Sequence, residues 1–287
     1  MKIVFLGTPD LATPFLEALT NEPGFEVVAV VTQPDRPVGR KQILTPSPVK
    51  ELAVSKNLQI LQPEKLRDEE VQKQLAEIQA DIFVVVAYGL IIPQKVLSLP
   101  RLGCLNVHPS LLPKYRGPSP IQSAIMNGDA ESGISIMLLD KGMDTGPVLA
   151  QEKFLLALDE SQISLTEKTK QLGPELLIET IKKYAAGEIK PILQDDTQAV
   201  ICKILNRESG HIDWSHSAKE IDRLVRALQP WPGCWTTFDH NGKNLRLKIL
   251  KTKIEEEKLV ILEVQPEGRS SMSYEEFERG YGKVKME

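Results

Sequence analysis

The first two-thirds of the chain predict an α/β domain on an open, mostly parallel sheet, and the last third predicts a small β domain. Three observations carry this. Apolar, β-branched runs at 3–6, 27–31, 82–87, 105–107 and 134–138 alternate with amphipathic stretches. The longer runs are apolar on consecutive positions, as in central strands covered by helices on both faces. Beyond residue 205 the spacing changes to short strand-like runs separated by turns.

Taken in order, the 3–6 strand ends at Gly7-Thr8-Pro9-Asp10. This turn lacks the second and third glycines of a dinucleotide fingerprint, so it reads as a tight turn lining an acceptor pocket. A helix pattern covers 11–19, and the next strand covers 27–31. Residues 32–50 hold four prolines and a glycine without hydrophobic periodicity, which predicts a long surface loop. Arg36, Arg40, Lys41 and Lys50 against Asp35 make it locally basic. Ser47 before Pro48 marks the N-cap of a helix over Pro48–Ser55. A helix over 67–79 and strands at 82–87 and 105–107 follow, then the strand at 134–138. The longest helix is expected to start at Ser164, where Ser-Leu-Thr-Glu forms a capping box with Glu167. A polar segment with Gly187 and Pro191 reads as a linker. The expected division is therefore 1–187, a linker at 188–204, and a C-terminal domain at 205–287. In that domain a helix pattern at 217–228 is stopped by Pro230-Trp231-Pro232-Gly233. Strand-like runs at 234–238, 245–250 and 259–264 suggest a small barrel of oligonucleotide-binding (OB-like) type.

With 287 residues, 41% of them hydrophobic, the chain can bury one sizeable core and a smaller second one. A net charge of −4 supplies no global basic field, so any nucleic-acid contact must use a local patch. Cys104, Cys202 and Cys234 are widely spaced, which fits buried thiols in a reducing compartment. The histidines offer no ligand set for a metal. The first apolar run is too short for a signal-peptide core and no stretch approaches a membrane span, so a cytoplasmic protein is expected.

The chemistry concentrates in residues 104–117, Cys-Leu-Asn-Val-His-Pro-Ser-Leu-Leu-Pro-Lys-Tyr-Arg-Gly. Asn106 and His108 occupy alternate strand positions and so face the same side. A proline-punctuated loop ends the strand and opens a pocket there. An amide donor beside an imidazole suits a carbonyl that must become an oxyanion. Asp140-Lys141-Gly142-Met143-Asp144-Thr145-Gly146-Pro147 adds a loop of carboxylates. Amide, imidazole and carboxylate together suit acyl transfer to an amine; the bland alternative is a strand end held by structural hydrogen bonds.

The run His108-Pro-Ser-Leu-Leu-Pro-Lys-Tyr-Arg-Gly117, followed by Gly142-Met-Asp-Thr-Gly-Pro147, resembles the 10-formyltetrahydrofolate-dependent formyltransferases. The resemblance implies a Rossmann-like formyltransferase domain, with Asn106, His108 and Asp144 as catalytic residues. It implies a folate site at Tyr88, Gly89 and Leu90, at the Ser110, Leu111, Leu112 and Pro113 turn, and at Asp140. Ile212-Asp-Trp-Ser215 and Gln229-Pro-Trp-Pro-Gly233, with the linker and barrel, resemble the members acting on methionyl-tRNA. That likeness implies 10-formyltetrahydrofolate as donor, initiator methionyl-tRNA as acceptor, and a monomer. Thr32-Gln-Pro-Asp-Arg-Pro-Val-Gly-Arg40 resembles their insertion that engages the acceptor stem, which implies Arg36, Arg40 and Lys41 as tRNA contacts. The chain departs from the pattern between 250 and 259, where the family carries a longer segment. A small-molecule amine acceptor (an amino sugar or a ribonucleotide), or a non-catalytic tRNA-binding relative, stays open.

Overall fold

A computed structural model describes residues 1–39 and 41–284. β1 (Lys2–Gly7) opens the chain and is followed by α1 (Thr13–Asn21) and β2 (Glu26–Val31). Next come β3 (Arg36–Val38), β4 (Ile43–Thr45), α2 (Pro48–Ser55), β5 (Ile60–Leu61) and α3 (Glu69–Glu77). β6 (Ile82–Val86), α4 (Gln94–Leu97), β7 (Cys104–His108) and α5 (Pro120–Asn127) continue it. β8 (Glu131–Leu138), β9 (Val148–Leu155) and α6 (Gln162–Ala185) complete the first two-thirds.

A seven-stranded sheet has the order β5-β2-β1-β6-β7-β8-β9. From β5 to β7 neighbouring strands run parallel, and β8 runs antiparallel to β7. Consecutive residues of one strand feed two different cores. Ile3, Phe5, Ile82 and Val84 join Phe15 and Leu16 of α1 and Leu177 and Ile181 of α6. Val4, Leu6, Phe83 and Val85 join Leu75 of α3 and Val96 of α4. All five residues of β6 are buried, which explains its apolar run: neither face meets water.

Three local expectations change. Residues 32–50 are more ordered than their prolines suggest, because β3 and β4 form a hairpin pairing Arg36 with Thr45 and Val38 with Ile43. The long helix begins two residues earlier than expected. Ser161 accepts the Ser164 amide at 3.1 Å and donates its own amide to the Ser164 hydroxyl at 2.9 Å. The capping box is thus Ser161 with Ser164, one turn before Ser164 with Glu167. β5, β9, α4 and α5 lie where no element was expected: β5 has two residues and α4 only four, while α5 is a full two turns behind Ser119-Pro120.

After α6 come α7 (Ala218–Leu228), β10 (Cys234–His240), β11 (Lys243–Glu255), β12 (Lys258–Pro266), β13 (Met272–Ser273) and α8 (Tyr274–Tyr281). The four strands form an antiparallel sheet in chain order. Ser217 and Glu220 close a capping box on α7, whose Ile221, Val225 and Leu228 cover Leu247, Ile249 and Val264. The short connection after residue 250 is a hairpin: β11 runs on to Glu255 and turns through Glu256 and Glu257 into β12.

Contacts divide the chain into two compact units with interleaved segments. One comprises Met1–Arg116, Gly133–Phe154 and Thr166–Ile201; the other comprises Gly117–Ser132, Leu155–Leu165 and Cys202 onward. The second unit takes α5 because it packs on α7, where Gly128 lies against the Arg223 side chain.

Candidate active site

β7 shares the face of its neighbours that covers α3 and α4, since Cys104 belongs to that core. Asn106 and His108 lie two and four residues further along the same strand and so face the same way. The Asn106 carboxamide is part-exposed and makes no hydrogen bond with another described residue. Two amide donors are therefore offered to whatever occupies that face. His108 is buried, and its Nε2 lies 2.9 Å from the Tyr115 carbonyl oxygen. A carbonyl only accepts, so Nε2 carries the proton and the neutral ring keeps its lone pair on Nδ1.

Nδ1 faces Asp144 Oδ2 at 3.7 Å. Three effects act on the ring. Burial pulls the His108 imidazole below its ordinary value, while the Asp144 charge and the Tyr115 carbonyl push it back up; burial dominates. A proton arriving at Nδ1 therefore meets a carboxylate already in place.

Asp144 reaches His108 from the far end of its neighbouring strand. β8 runs antiparallel to β7, with His108 opposite Ser135 and Leu105 opposite Leu138. The C-terminal end of β8 thus lies beside Cys104, where the Leu139 amide bonds the Cys104 carbonyl, and not at the His108 end. Four residues of strand, about 13 Å, separate those ends. The 139–147 loop closes that gap by folding back along the sheet. Gly146 makes the fold possible, because a Cβ there would sit 1.9 Å from the Leu138 carbonyl oxygen. Asp140 braces the same loop, accepting from the Gly142 amide at 2.9 Å and the Thr145 hydroxyl at 2.7 Å. Asp144 itself has a left-handed backbone, φ 54°.

The polar segment after α6 anchors that loop, which the sequence did not reveal. Gln194 Nε2 donates to the Asp144 carbonyl at 2.8 Å and to the Gly146 carbonyl at 2.7 Å. Gln194 Oε1 accepts from Arg116 Nε at 2.9 Å, and buried Arg116 also holds Asp196 at 2.7 Å. The 110–113 turn is held similarly. Ser135 donates to the Ser110 carbonyl at 2.6 Å and accepts from the Leu112 amide at 3.1 Å. Gln151 Nε2 bonds both Leu112 O and the Ser135 hydroxyl. Leu111 and Pro113 are half-buried and Leu112 is buried, while the Ser110 hydroxyl is tied to Lys114 O at 2.6 Å.

The β6 end is less open than expected. The Tyr88 ring lies in the α3/α4 core, its buried hydroxyl without a hydrogen-bond partner among the described residues and pushed up to about 12 by burial. Its carbonyl is taken by Thr8 and Gln33. Gly89, at φ 83°, passes beside the Gln33 amide, where a Cβ would come within 2.6 Å. Leu90 is half-buried and Ile91 is 90% exposed.

On the 32–50 stretch, Arg36 makes a 3.8 Å ion pair with Glu64, and Lys41 is exposed. Lys50 is committed to Asp35 at 2.7 Å. Arg40 lies outside the described residues. Among the described residues no group of three or more His, Cys, Asp or Glu could hold a metal ion, and no helix is long and apolar enough to cross a membrane.

Residues 1–181 match the family described as formyl transferase, and residues 204–259 match its C-terminal domain. A methionyl-tRNA formyltransferase of Caldanaerobacter subterraneus subsp. tengcongensis is 44% identical over 98% of this chain and 97% of its own length. The chain belongs to the methionyl-tRNA formyltransferase family. Two solved structures share its fold. A methionyl-tRNA formyltransferase from Clostridium thermocellum has a TM-score of 0.62 at 17% identity, covering 93% of this chain and 98% of that one. A sugar 3N-formyl transferase, solved in the presence of dTDP and 5-N-formyl-THF, has a TM-score of 0.65 at 22% identity, covering 89% and 87%.

Proposed function

We propose that this protein transfers the formyl group of 10-formyltetrahydrofolate to the α-amine of methionyl-initiator-tRNA. The observation that carries the reading is the Asn106 carboxamide, with no partner among the described residues, beside an imidazole whose Nδ1 faces a carboxylate. Near-full-length likeness to a protein of that name supports the acceptor.

In this reading the amine nitrogen attacks the formyl carbon, and the formyl oxygen gains negative charge. Asn106 donates a hydrogen bond to that oxygen. His108 does not compete for it, because its one proton is held by the Tyr115 carbonyl. Nδ1 is instead positioned to take up a proton, with Asp144 favouring the imidazolium or accepting the proton through a water. The carbon–N10 bond then breaks, and the proton returns to the departing nitrogen of the folate. The folate lies along the Gly89–Leu90 turn, the 110–113 turn and the Asp140 loop, with the half-buried Leu90 and Leu111 offering apolar surface. Tyr88 contributes as a support beneath that turn.

Arg36, Arg40 and Lys41 are the proposed phosphate contacts of the hairpin region. We take 1–187 as the catalytic domain, 188–204 as the linker and 205–287 as a shortened OB-like barrel. The register shifts of β11 at Lys251 support a strand bent to serve both sides of such a barrel. A substrate used to start translation fits a cytoplasmic activity, and we take the protein to act as a monomer.

The test is incubation with 10-formyltetrahydrofolate and charged initiator tRNA, followed by base deacylation and detection of formylmethionine. Formylation of small amines, with charged tRNA untouched, defeats the reading.

A further inference from the structure

The second compact unit carries a cleft of about 290 Å³ lined by none of the residues given a role in the transfer chemistry above. Its lining includes Arg207, Trp231, Trp235, Arg246 and Lys248. Trp235 is fixed in place: its Nε1 donates to the Arg207 carbonyl at 2.9 Å, and the Arg246 guanidinium stacks 3.9 Å above its ring. Trp231 stands in the turn that ends α7, and it is 57% exposed. Two turns meet to form the walls, because Gly210 lies so near Gly233 that a Cβ would fall 1.9 Å from the Gly233 carbonyl oxygen. That approach sets Arg207 beside the tryptophans.

Arg246 and Lys248 share the solvent face of β11, with Lys248 directly opposite Trp235 in register. Among the described residues no carboxylate pairs with the charged groups of Arg207, Arg246 or Lys248. Glu267 takes only the Arg246 backbone amide, at 3.3 Å, and Glu208 follows Arg207 in the chain. An exposed indole ringed by unpaired cations combines a stacking platform with phosphate contacts, the pairing used to hold unstacked nucleotides. A cleft of this size suits one nucleotide rather than a larger ligand.

We propose that this cleft binds a single unstacked nucleotide of the RNA substrate, with its base on Trp231 and its phosphate among Arg207, Arg246 and Lys248. The proposal deepens, and rests on, the tRNA reading above. It assigns to the C-terminal unit a base-stacking contact rather than diffuse attraction.

The full chain is titrated with hexaadenylate, with binding read from intrinsic tryptophan fluorescence and from filter retention. Trp231→Ala should weaken binding by roughly five- to a hundredfold, the span for one stacked base, without changing the salt slope. Trp231→Phe should retain most of the affinity, which separates loss of the platform from loss of the fold. Arg246→Gln should flatten the slope of log affinity against log salt by about 0.7. Hexaadenylate that fails to bind, binds Trp231→Ala as tightly as the unaltered chain, or is displaced equally well by polyglutamate at matched charge would overturn the site. Formylation of charged initiator tRNA is assayed in parallel. Formylation with an unaffected Trp231→Ala sinks the cleft and keeps the tRNA reading. Nucleotide binding lost in Trp231→Ala, with no formylation of tRNA by the unaltered chain, keeps the cleft and sinks that reading.

Discussion

The state of His108 decides what the site can do. Burial lowers the imidazole below its usual value near 6.5, against the pull of Asp144 and Tyr115. The folded chain therefore binds this proton less readily than the unfolded chain. Its stability should be full above about pH 6.5 and should fall as pH drops through the lowered folded value. An NMR titration of the His108 ring should show a midpoint below about 6.5, moving lower still in Asp144→Asn, which removes the raising charge. A midpoint above that value would contradict the balance described here. Asn106→Ala should reduce turnover by about 10²–10³ with thermal stability unchanged; near-normal turnover removes Asn106 from the oxyanion role. Gln194→Ala strips a buried guanidinium of one acceptor and two loop carbonyls of a donor. It should cost about 1–3 kcal/mol in urea unfolding, and turnover should fall more than the Michaelis constant rises. Asn106 and His108 were legible in the sequence because alternation along one strand is local information. Ser135, Gln151 and Gln194 were not, because each acts on partners 16 to 78 residues away in the chain and is an ordinary polar residue in its own segment.

Elements were legible where burial is symmetric and obscure where a partner decides. β1, β2 and β6 announce themselves by apolar runs that only a doubly covered strand needs. β9 is exposed on alternate positions and α4 has one turn, so neither has a periodicity that stands out. Prolines hid the β3–β4 hairpin because Pro37 and Pro46 suggest irregular chain, yet Pro37 needs no amide on an edge strand. The β11–β12 turn offers an element-scale test. Glu256 and Glu257 both have positive φ, 47° and 64°, the geometry of a two-residue hairpin that favours Asn-Gly. Replacing them by Asn and Gly should raise stability by on the order of 1 kcal/mol, read as a higher urea midpoint at constant slope. An unchanged midpoint would mean that the sheet, not the turn, sets the register here.

At the scale of the whole molecule, an acidic chain must hold a polyanion through local fields. The net charge of −4 gives no general attraction, so affinity for tRNA has to come from local clusters, and the two proposed above are residues 36–41 and the solvent face of β11. Those clusters differ in how committed they are. Among the described residues Lys50 is held by Asp35, Arg36 is loosely shared with Glu64, and Lys41 is exposed; Arg40, proposed above as a phosphate contact, is the charge to test. Each phosphate contact releases a counterion and steepens the salt dependence by roughly 0.7–0.9. Arg40→Ala should therefore flatten the slope of log kcat/KM for charged tRNA against log salt by about one such step. Formylation of a small model amine should keep its rate, because no phosphate is involved. A slope identical to that of the unaltered chain would take Arg40 out of the tRNA path and shift the electrostatic contribution to the cations of β11.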